Sequence, residues 1–485
     1  MKLKSSYLLA PFVGLAMAGC AKAPDTTTPN VVLIFIDDLG YGDLGTYGAT
    51  GYETPNLDQL ATMGLRFTHF YAAQAVCSAS RAGLLTGCYP NRIGITGALG
   101  PNAKHGVSNK ELTIAEMLKT KGYATGIVGK WHLGHHKQFL PLQHGFDEYL
   151  GLPYSNDMWP VDFDGTPVTK DSKKPWKANY PPLPLIDGNE VIDTIKTLDD
   201  QSRLTTLYTE RAVQFIENHK NEPFFLYLPH SMVHVPLGVS DKFRGKSKQG
   251  MFGDVMMEVD WSVGEIIKTL DRLKLSKKTL VIFTADNGPW LNFGNHAGNT
   301  GGLREGKGTS FEGGQREPCI MVWPGVIPAG KMTSQLSSTI DILPTLAEIT
   351  GCSLPAHKID GVSILPIMKG DLKAEPRKEF YFYYHRNSLE GVRKGTWKLV
   401  LPHDYRSYEG VLPGNDGWPG AYGKGHTELA LYDLRRDPGE EYDVQALYPE
   451  KVAELMKVVE KAREDLGDDL TGNPGKNRRE PGRLK

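Results

Sequence analysis

Two pairs of hard oxygen donors end two apolar runs of this sequence. Asp37-Asp38 follows Val31-Val32-Leu33-Ile34-Phe35-Ile36, and Asp286-Asn287 closely follows Leu280-Val281-Ile282-Phe283-Thr284. Adjacent acids at a buried strand end repel one another unless a cation lies between them. Three carboxylates and an amide oxygen suit Ca2+ or Mg2+ rather than a soft metal. Asp and Asn are also common in helix caps and turns, and one pair alone would leave the two explanations level. Two pairs after two strands favour the metal. A third segment, Cys77-Ser78-Ala79-Ser80-Arg81-Ala82-Gly83-Leu84-Leu85-Thr86-Gly87, sets a cysteine shortly before an arginine. A cysteine near the start of a helix can be structural or redox-active, so Cys77 and Arg81 gain meaning only from companions elsewhere in the chain.

These donors need strands to hold them. Both apolar runs read as buried, parallel-type strands. Helical spacing over 112–121, 204–219 and 252–273 alternates with strand-like runs at 123–128, 224–228 and 280–284. Such alternation predicts an α/β domain with a mostly parallel sheet flanked by helices, whose ligands sit beyond the C-terminal strand ends. Residues 153–187, rich in Pro, Asp, Lys and Trp, read as an irregular loop at the mouth of the site. Residues 366–377 read as a domain joint. Beyond it, 380–383, 397–400 and 430–433 read as short antiparallel strands and 449–466 as an amphipathic helix, a smaller C-terminal α+β domain. Residues 468–485 read as frayed. The expected boundaries are 1–20 for a leader, 21–30 for a tether, 31–370 for the catalytic domain and 371–485 for the C-terminal subdomain.

Lys+Arg total 55 against 56 Asp+Glu, so no basic excess points to nucleic acid. Lys2 and Lys4 precede an apolar stretch, Tyr7 to Ala18, too short to span a bilayer. It ends Ala18-Gly19-Cys20, which resembles a bacterial lipoprotein signal with Cys20 as the lipidated residue; an ordinary cleaved leader is the alternative. Either implies export, with a lipid anchor in the bacterial envelope, periplasmic or outer-membrane, under the first reading and a periplasmic or secreted protein under the second. The other cysteines, Cys77, Cys88, Cys319 and Cys352, have no zinc-site spacing, and their pairing is not fixed by sequence.

The Cys77 segment resembles the signature of the type I, formylglycine-dependent sulfatases of the alkaline phosphatase superfamily, with Ala79 in place of the commoner proline. Gly126-Ile127-Val128-Gly129-Lys130-Trp131-His132-Leu133-Gly134 resembles that family's second signature. Ser155, His234 in His234-Val235-Pro236, Asp286-Asn287 and Lys307 in Gly306-Lys307-Gly308 follow in family order. Read alone, Lys130 and Lys307 are surface lysines and His132 and His234 core histidines. The ordered set is specific, and it runs from about Val31 to the Leu431-Tyr432-Asp433-Leu434 segment.

What the resemblance implies is an arylsulfatase-like sulfuric ester hydrolase. A maturation enzyme would oxidise Cys77 to formylglycine (3-oxoalanine). One Ca2+ would be held by Asp37, Asp38, the converted Cys77, Asp286 and Asn287. A hydroxyl of the hydrated aldehyde would attack sulfur, with Asp286 taking its proton. Arg81 and Lys130 would hold the diol, His234 with Lys307 would protonate the leaving alcohol, and His132 would take the proton whose loss expels sulfate. The expected substrate is a sulfated carbohydrate, with galactose or N-acetylgalactosamine units as the first guess. Ser155, Asp157, Trp159, His385 and Arg386 are candidate substrate contacts, Trp159 by stacking on a sugar face or else as a packing residue of its loop. The alternatives are a phosphonate monoester or phosphodiester hydrolase of the same superfamily and a non-catalytic glycan-binding lipoprotein.

Overall fold

The strand Asn30–Ile36 is buried at every position. Its side chains alternate between two cores: Val32, Ile34 and Ile36 face one, Val31, Leu33 and Phe35 the other. A strand covered on both faces has no polar side to show, which is why it reads as an unbroken apolar run. In this computed structural model, which describes residues 28–484, it lies centrally in an eleven-stranded sheet. The expected leader over 1–20, Cys20 and most of the tether lie outside the described residues.

The central strand pairs in parallel with Phe224–Pro229 on one side and Thr279–Ala285 on the other, and Ala124–Val128 extends the parallel set beyond Phe224–Pro229. Parallel pairing aligns all four C-terminal ends on one edge. The segments leaving that edge are those with chemical character: Asp37-Asp38, Lys130 to His132, His230 to His234, and Asp286-Asn287. Helices Pro55–Met63, Leu204–Asn218 and Gly250–Arg272 cover one face; Cys77–Thr86, Ile114–Lys119 and Ile342–Thr350 cover the other.

The sheet departs from the parallel pattern at its edges. Leu65–Tyr71 and Arg316–Val322 pair antiparallel to one another, and Arg316–Val322 is antiparallel to Thr279–Ala285. At the opposite edge, Leu183–Asp187 and Glu190–Ile195 form a hairpin. The first of these strands falls at the end of the stretch expected to be irregular. Pro181, Pro182 and Pro184 hide it; Pro184 lies beyond the two residues that pair with Glu148–Gly151 and faces Thr194 of the outer strand alone.

Glu379–Tyr384, Ser388–Lys394, Trp397–Val400 and Ala430–Asp433 form a four-stranded antiparallel sheet, packed on one face by helix Pro449–Leu466 through Leu455, Val458, Val459, Ala462 and Leu466. A second hairpin, His403–Ser407 with Gly423–Thr427, projects from this region. The tail is not frayed as expected. Gly482–Arg483 pairs with His105–Gly106, and Arg479 makes two 2.7 Å bonds to Glu111. Its polar composition hid this docking because ion pairs and short bridges, rather than an apolar stripe, hold it.

A buried ammonium joins the C-terminal sheet to the catalytic domain. Lys398 Nζ bonds Glu440 at 2.8 Å, Glu312 at 3.1 Å and the Ser310 carbonyl at 2.9 Å, with no side-chain exposure on Lys398 or either carboxylate. Lys398→Met would leave two carboxylates buried without their cation, so it is expected to lower stability by about 3–5 kcal/mol. A chemical-denaturation midpoint equal to that of the parent would show that the pair is not needed to hold the joint.

Candidate active site

Cys77 opens helix Cys77–Thr86. Arg81, one helical turn on, shares its face, which gives the Cys-x-x-x-Arg spacing a physical basis. Both side chains are buried below the strand ends. Cys77 Sγ donates to Asp37 Oδ1 at 3.4 Å and accepts from Lys307 Nζ at 3.4 Å. Arg81 holds Asp286 Oδ2 through Nε at 3.0 Å and Nη2 at 2.8 Å, and its Nη1 donates to the Lys130 carbonyl at 2.8 Å. Lys130 Nζ donates to Asp37 Oδ2 and, at 3.1 Å, to Ser155 Oγ. Lys307 Nζ straddles the Asp38 carboxylate at 2.7 and 2.8 Å.

Three carboxylates therefore meet three cations, Arg81, Lys130 and Lys307, in a cage closed to solvent. Asp38 takes up a left-handed backbone, φ 59°, directly after Asp37, a conformation that Asp tolerates better than most residues. Its N–H then donates to Asp286 Oδ1 at 3.1 Å, tying the two strand ends together. Asn287 Nδ2 donates to Asp38 Oδ1 at 2.7 Å, while Asn287 Oδ1 is buried without a partner. Oxygen or sulfur atoms of Asp37, Asp38 and Cys77, with a ring nitrogen of His234, lie within 4.8 Å of one another. Hard oxygen donors, one of them orphaned, fit a divalent cation of the Ca2+ type.

The electrostatics agree with that fit. Burial alone would raise Asp37, but Lys130, His234, Arg81 and Lys307 hold it well below the usual carboxylate range. Burial and the neighbouring Asp37 charge push Asp286 up to about 7, the behaviour of one of two carboxylates buried close together. Burial and Asp37 also push the Cys77 thiol up, so an unmodified Cys77 is held as a thiol, the poorly nucleophilic form.

The two histidines present distinct faces. His234 donates from Nδ1 to the Val235 carbonyl at 2.6 Å, which leaves Nε2 near Ser155 Oγ at 3.5 Å and Asp38 Oδ2 at 3.6 Å. His132, at φ 62°, donates from Nε2 to the Leu99 carbonyl at 3.0 Å, and its buried Nδ1 has no partner. Burial, Lys130 and Arg81 hold His132 well below the usual imidazole range, so Nδ1 is a free base.

The structure thus gathers Asp37, Asp38, Cys77, Arg81, Lys130, His132, Ser155, His234, Asp286, Asn287 and Lys307. Asp157 lies close enough for the His234, Lys177 and Lys307 charges to lower its carboxyl against the effect of burial, and its Oδ1 is unpartnered. Trp159 is not available to a sugar: it is 1% exposed, packed in the core. His385 and Arg386 are exposed, and His385 lines a cavity on the C-terminal domain. Asp286 was expected to take the nucleophile's proton. The carboxylate oxygen at 3.4 Å from Sγ belongs instead to Asp37, and both Asp286 oxygens are engaged by Arg81 and the Asp38 N–H. Sequence reading missed Trp290, whose ring lies 4.4 Å from Lys307 Nζ and 5.4 Å from the His234 ring. Its place four residues after Asp286, leaving the same strand end, was the available signal. The four described cysteines are all free.

A doubly covered, mostly parallel sheet with this cage at its strand ends defines the class: an α/β enzyme whose anion-handling site lies beyond the C-terminal strand ends. Residues 29–352 match the family model described as Sulfatase, 306–408 that of the N-sulphoglucosamine sulphohydrolase C-terminal region, and 376–480 that of the C-terminal region of aryl-sulfatase. The chain belongs to the sulfatase family, and it is a sulfuric ester hydrolase. It is 39% identical to arylsulfatase A of Bos taurus over 92% of this chain and 89% of that one. It is 38% identical to N-acetylgalactosamine-6-sulfatase of Mus musculus over 97% and 91%. A sulfatase structure from Pseudoalteromonas sp. superposes with a TM-score of 0.79 at 28% identity, covering 90% of each chain.

Proposed function

We propose that this sulfatase removes sulfate from a sulfated carbohydrate, using a formylglycine made from Cys77 and one Ca2+ held by Asp37, Asp38, Asp286 and Asn287 beside the modified residue. The observation that carries the reading is the caged Cys77 side chain: protonated as a thiol, yet surrounded by the charges an anionic ester needs. When present, the hydrated aldehyde supplies one hydroxyl to attack sulfur and a second to expel sulfate, and the cation offsets the negative charge of the ester.

The chain's own residues do the rest. Lys130 and Arg81 orient the residue at position 77 and neutralise charge developing on the sulfate oxygens. Lys307 reaches the same point from the opposite wall. His234, its Nδ1 proton held by the Val235 carbonyl, turns Nε2 toward Ser155 and the leaving group and acts as general acid from its doubly protonated form. His132 Nδ1 accepts the proton whose loss releases sulfate. A galactosamine-type sugar is favoured as substrate because relatives of this chain are named for N-acetylgalactosamine 6-sulfate. The leader ending Ala18-Gly19-Cys20 supports export with a lipid anchor on Cys20, in the periplasm or on the outer membrane, and the Cys77 segment implies a maturation enzyme as partner.

Protein matured in a host with that enzyme is expected to hydrolyse an aryl sulfate faster than the matching aryl phosphodiester by more than an order of magnitude, and to release sulfate from N-acetylgalactosamine 6-sulfate. A preference for the diester would replace the sulfate-ester reading with a phosphodiesterase. His234→Ala is expected to cost about 10²–10⁴-fold in kcat on a sugar sulfate, the usual reach of general acid catalysis. The loss should be much smaller on an aryl sulfate whose phenolate leaves without help. Equal losses across leaving groups would remove His234 from the acid role.

A further inference from the structure

A cavity of about 700 Å³ lies between the Lys307-Gly308 loop and the C-terminal domain, within the size range of small-molecule sites. One continuous wall joins it to the catalytic cage. Trp290 stands against Lys307 and donates from Nε1 to Tyr422 Oη at 2.5 Å. Tyr422 Oη also accepts from Arg406 Nη1 at 3.2 Å, and Arg406 Nε donates to the Gly308 carbonyl at 3.4 Å. Two aromatic residues, Trp290 and Tyr422, thus link the catalytic lysine to Arg406 on the cavity wall, and Gly308, next to Lys307, lines the cavity itself.

The lining is cationic and incompletely satisfied. Arg406, mostly buried, meets two phenol oxygens, with Tyr384 Oη at 2.5 Å, and a carbonyl, but no carboxylate among the described residues. A guanidinium withdrawn from water without a counter-ion is costly unless an anion arrives. Lys424 is exposed on the rim with no ion pair among the described residues, and the nearby Asp404 is already taken by His426 at 2.6 Å. On the floor, Glu390 and His403 are 3% and 4% exposed. Glu390 Oε2 and His403 Nε2 face each other at 3.4 Å, each without a formed hydrogen bond. Burial pushes the Glu390 carboxyl up to about 8 and the His403 imidazole down, so both groups of the floor are driven toward their neutral forms, while the wall carries Arg406, Lys424 and the Asp404 carboxylate beside His426. Polar uncharged groups below and two cations at the side match a sugar ring bearing an acidic substituent.

We propose that this cavity is a subsite for the sugar next to the one that loses its sulfate, and that Arg406 and Lys424 select neighbours carrying a second acidic group, a carboxylate or a sulfate. The inference rests on the carbohydrate reading above. It makes the enzyme one that acts on acidic oligosaccharides in preference to free sulfated monosaccharides.

The test compares kcat/KM of the matured enzyme on three disaccharides with the same sulfated hexosamine and a uronate, a sulfated hexose or a neutral hexose as neighbour, with an aryl sulfate alongside. The wild type is expected to favour one or both acidic neighbours by at least about tenfold over the neutral one, the scale of one charge-assisted hydrogen bond. Which acidic arm is faster identifies the group. Lys424→Gln, at an exposed position, should reduce that ratio several-fold. Arg406→Gln should abolish it, and Arg406→Lys should keep part of it. Because the readout is a ratio within each variant, a general loss of activity or fold does not imitate it. Equal kcat/KM for neutral and acidic neighbours in the wild type, or a preference that survives the Lys424→Gln/Arg406→Gln double variant, overturns the proposal. Turnover of the aryl sulfate but of none of the disaccharides would instead overturn the carbohydrate reading beneath it.

Discussion

Cys77→Ser is expected to lower multiple-turnover kcat by about 10⁴-fold or more, the scale seen when a nucleophile is removed from an assembled site. The loss should come from release more than from attack. A serine hydroxyl set among Asp37, Lys130 and Lys307 retains the surroundings of the nucleophile. A sulfated serine, however, has no second hydroxyl on the same carbon whose deprotonation expels sulfate. The variant should therefore show at most a single-turnover burst, with an SO3 group retained as a serine sulfate ester on the peptide spanning 77. Cys77→Ala should show neither burst nor retained sulfate. Mass analysis of the same wild-type peptide is the companion measurement. Conversion replaces the side chain CH2SH by CHO, so the peptide loses two hydrogens and a sulfur and gains an oxygen. Near-normal turnover by Cys77→Ser, or an unmodified thiol in fully active protein, would remove formylglycine from the mechanism.

Which parts of this molecule were legible in its sequence follows from how each is stabilised. The central strands were plain because a strand buried on both faces has no polar positions, and Asn30–Ile36 and Thr279–Ala285 carry almost none. The residues of the cage were equally plain, since parallel pairing delivers every C-terminal strand end to one edge and chemistry-bearing residues follow each of them. What stayed hidden depends on partners far along the chain. The docking of Arg479 on Glu111 spans 368 residues and leaves no local pattern. The strand Leu183–Asp187 is obscured by the prolines at and before its start, where it pairs only with the outer strand Glu190–Ile195. Trp159 shows the opposite error. An aromatic in a polar loop invites a ligand-stacking role, yet the ring fills the core beside Phe163 and Leu183. Arg406 was missed because nothing in its local sequence sets it apart; only the fold carries it to the Gly308 carbonyl.

Asp38→Asn is expected to weaken Ca2+ binding by more than about 100-fold, beyond the 10–100-fold typical of removing a mere supporting partner of a ligand, and to lower kcat/KM in step. The argument is one of charge. In the cage as it stands, Arg81, Lys130 and Lys307 balance Asp37, Asp38 and Asp286, and a site at balance has little to offer a sulfate anion. One divalent cation among the carboxylates leaves the cage positive and frees the two lysines for the ester oxygens. Asp38→Asn keeps the shape, so Asn287 and the Asp38 N–H bond to Asp286 can persist, but it removes one of the charges the cation needs. Elemental analysis of the wild type should find about one calcium per chain. Chelation should lower Tm, because a ligand at 100 times its Kd stabilises the folded state by about 2.7 kcal/mol. Restoring Ca2+ should recover both Tm and activity in the wild type and neither in Asp38→Asn at the same free concentration. Unchanged calcium content in the variant would take Asp38 out of the ligand set and leave it the partner of Lys307 and Asn287. A wild-type Tm and activity indifferent to chelation would show that the three cationic side chains alone are sufficient.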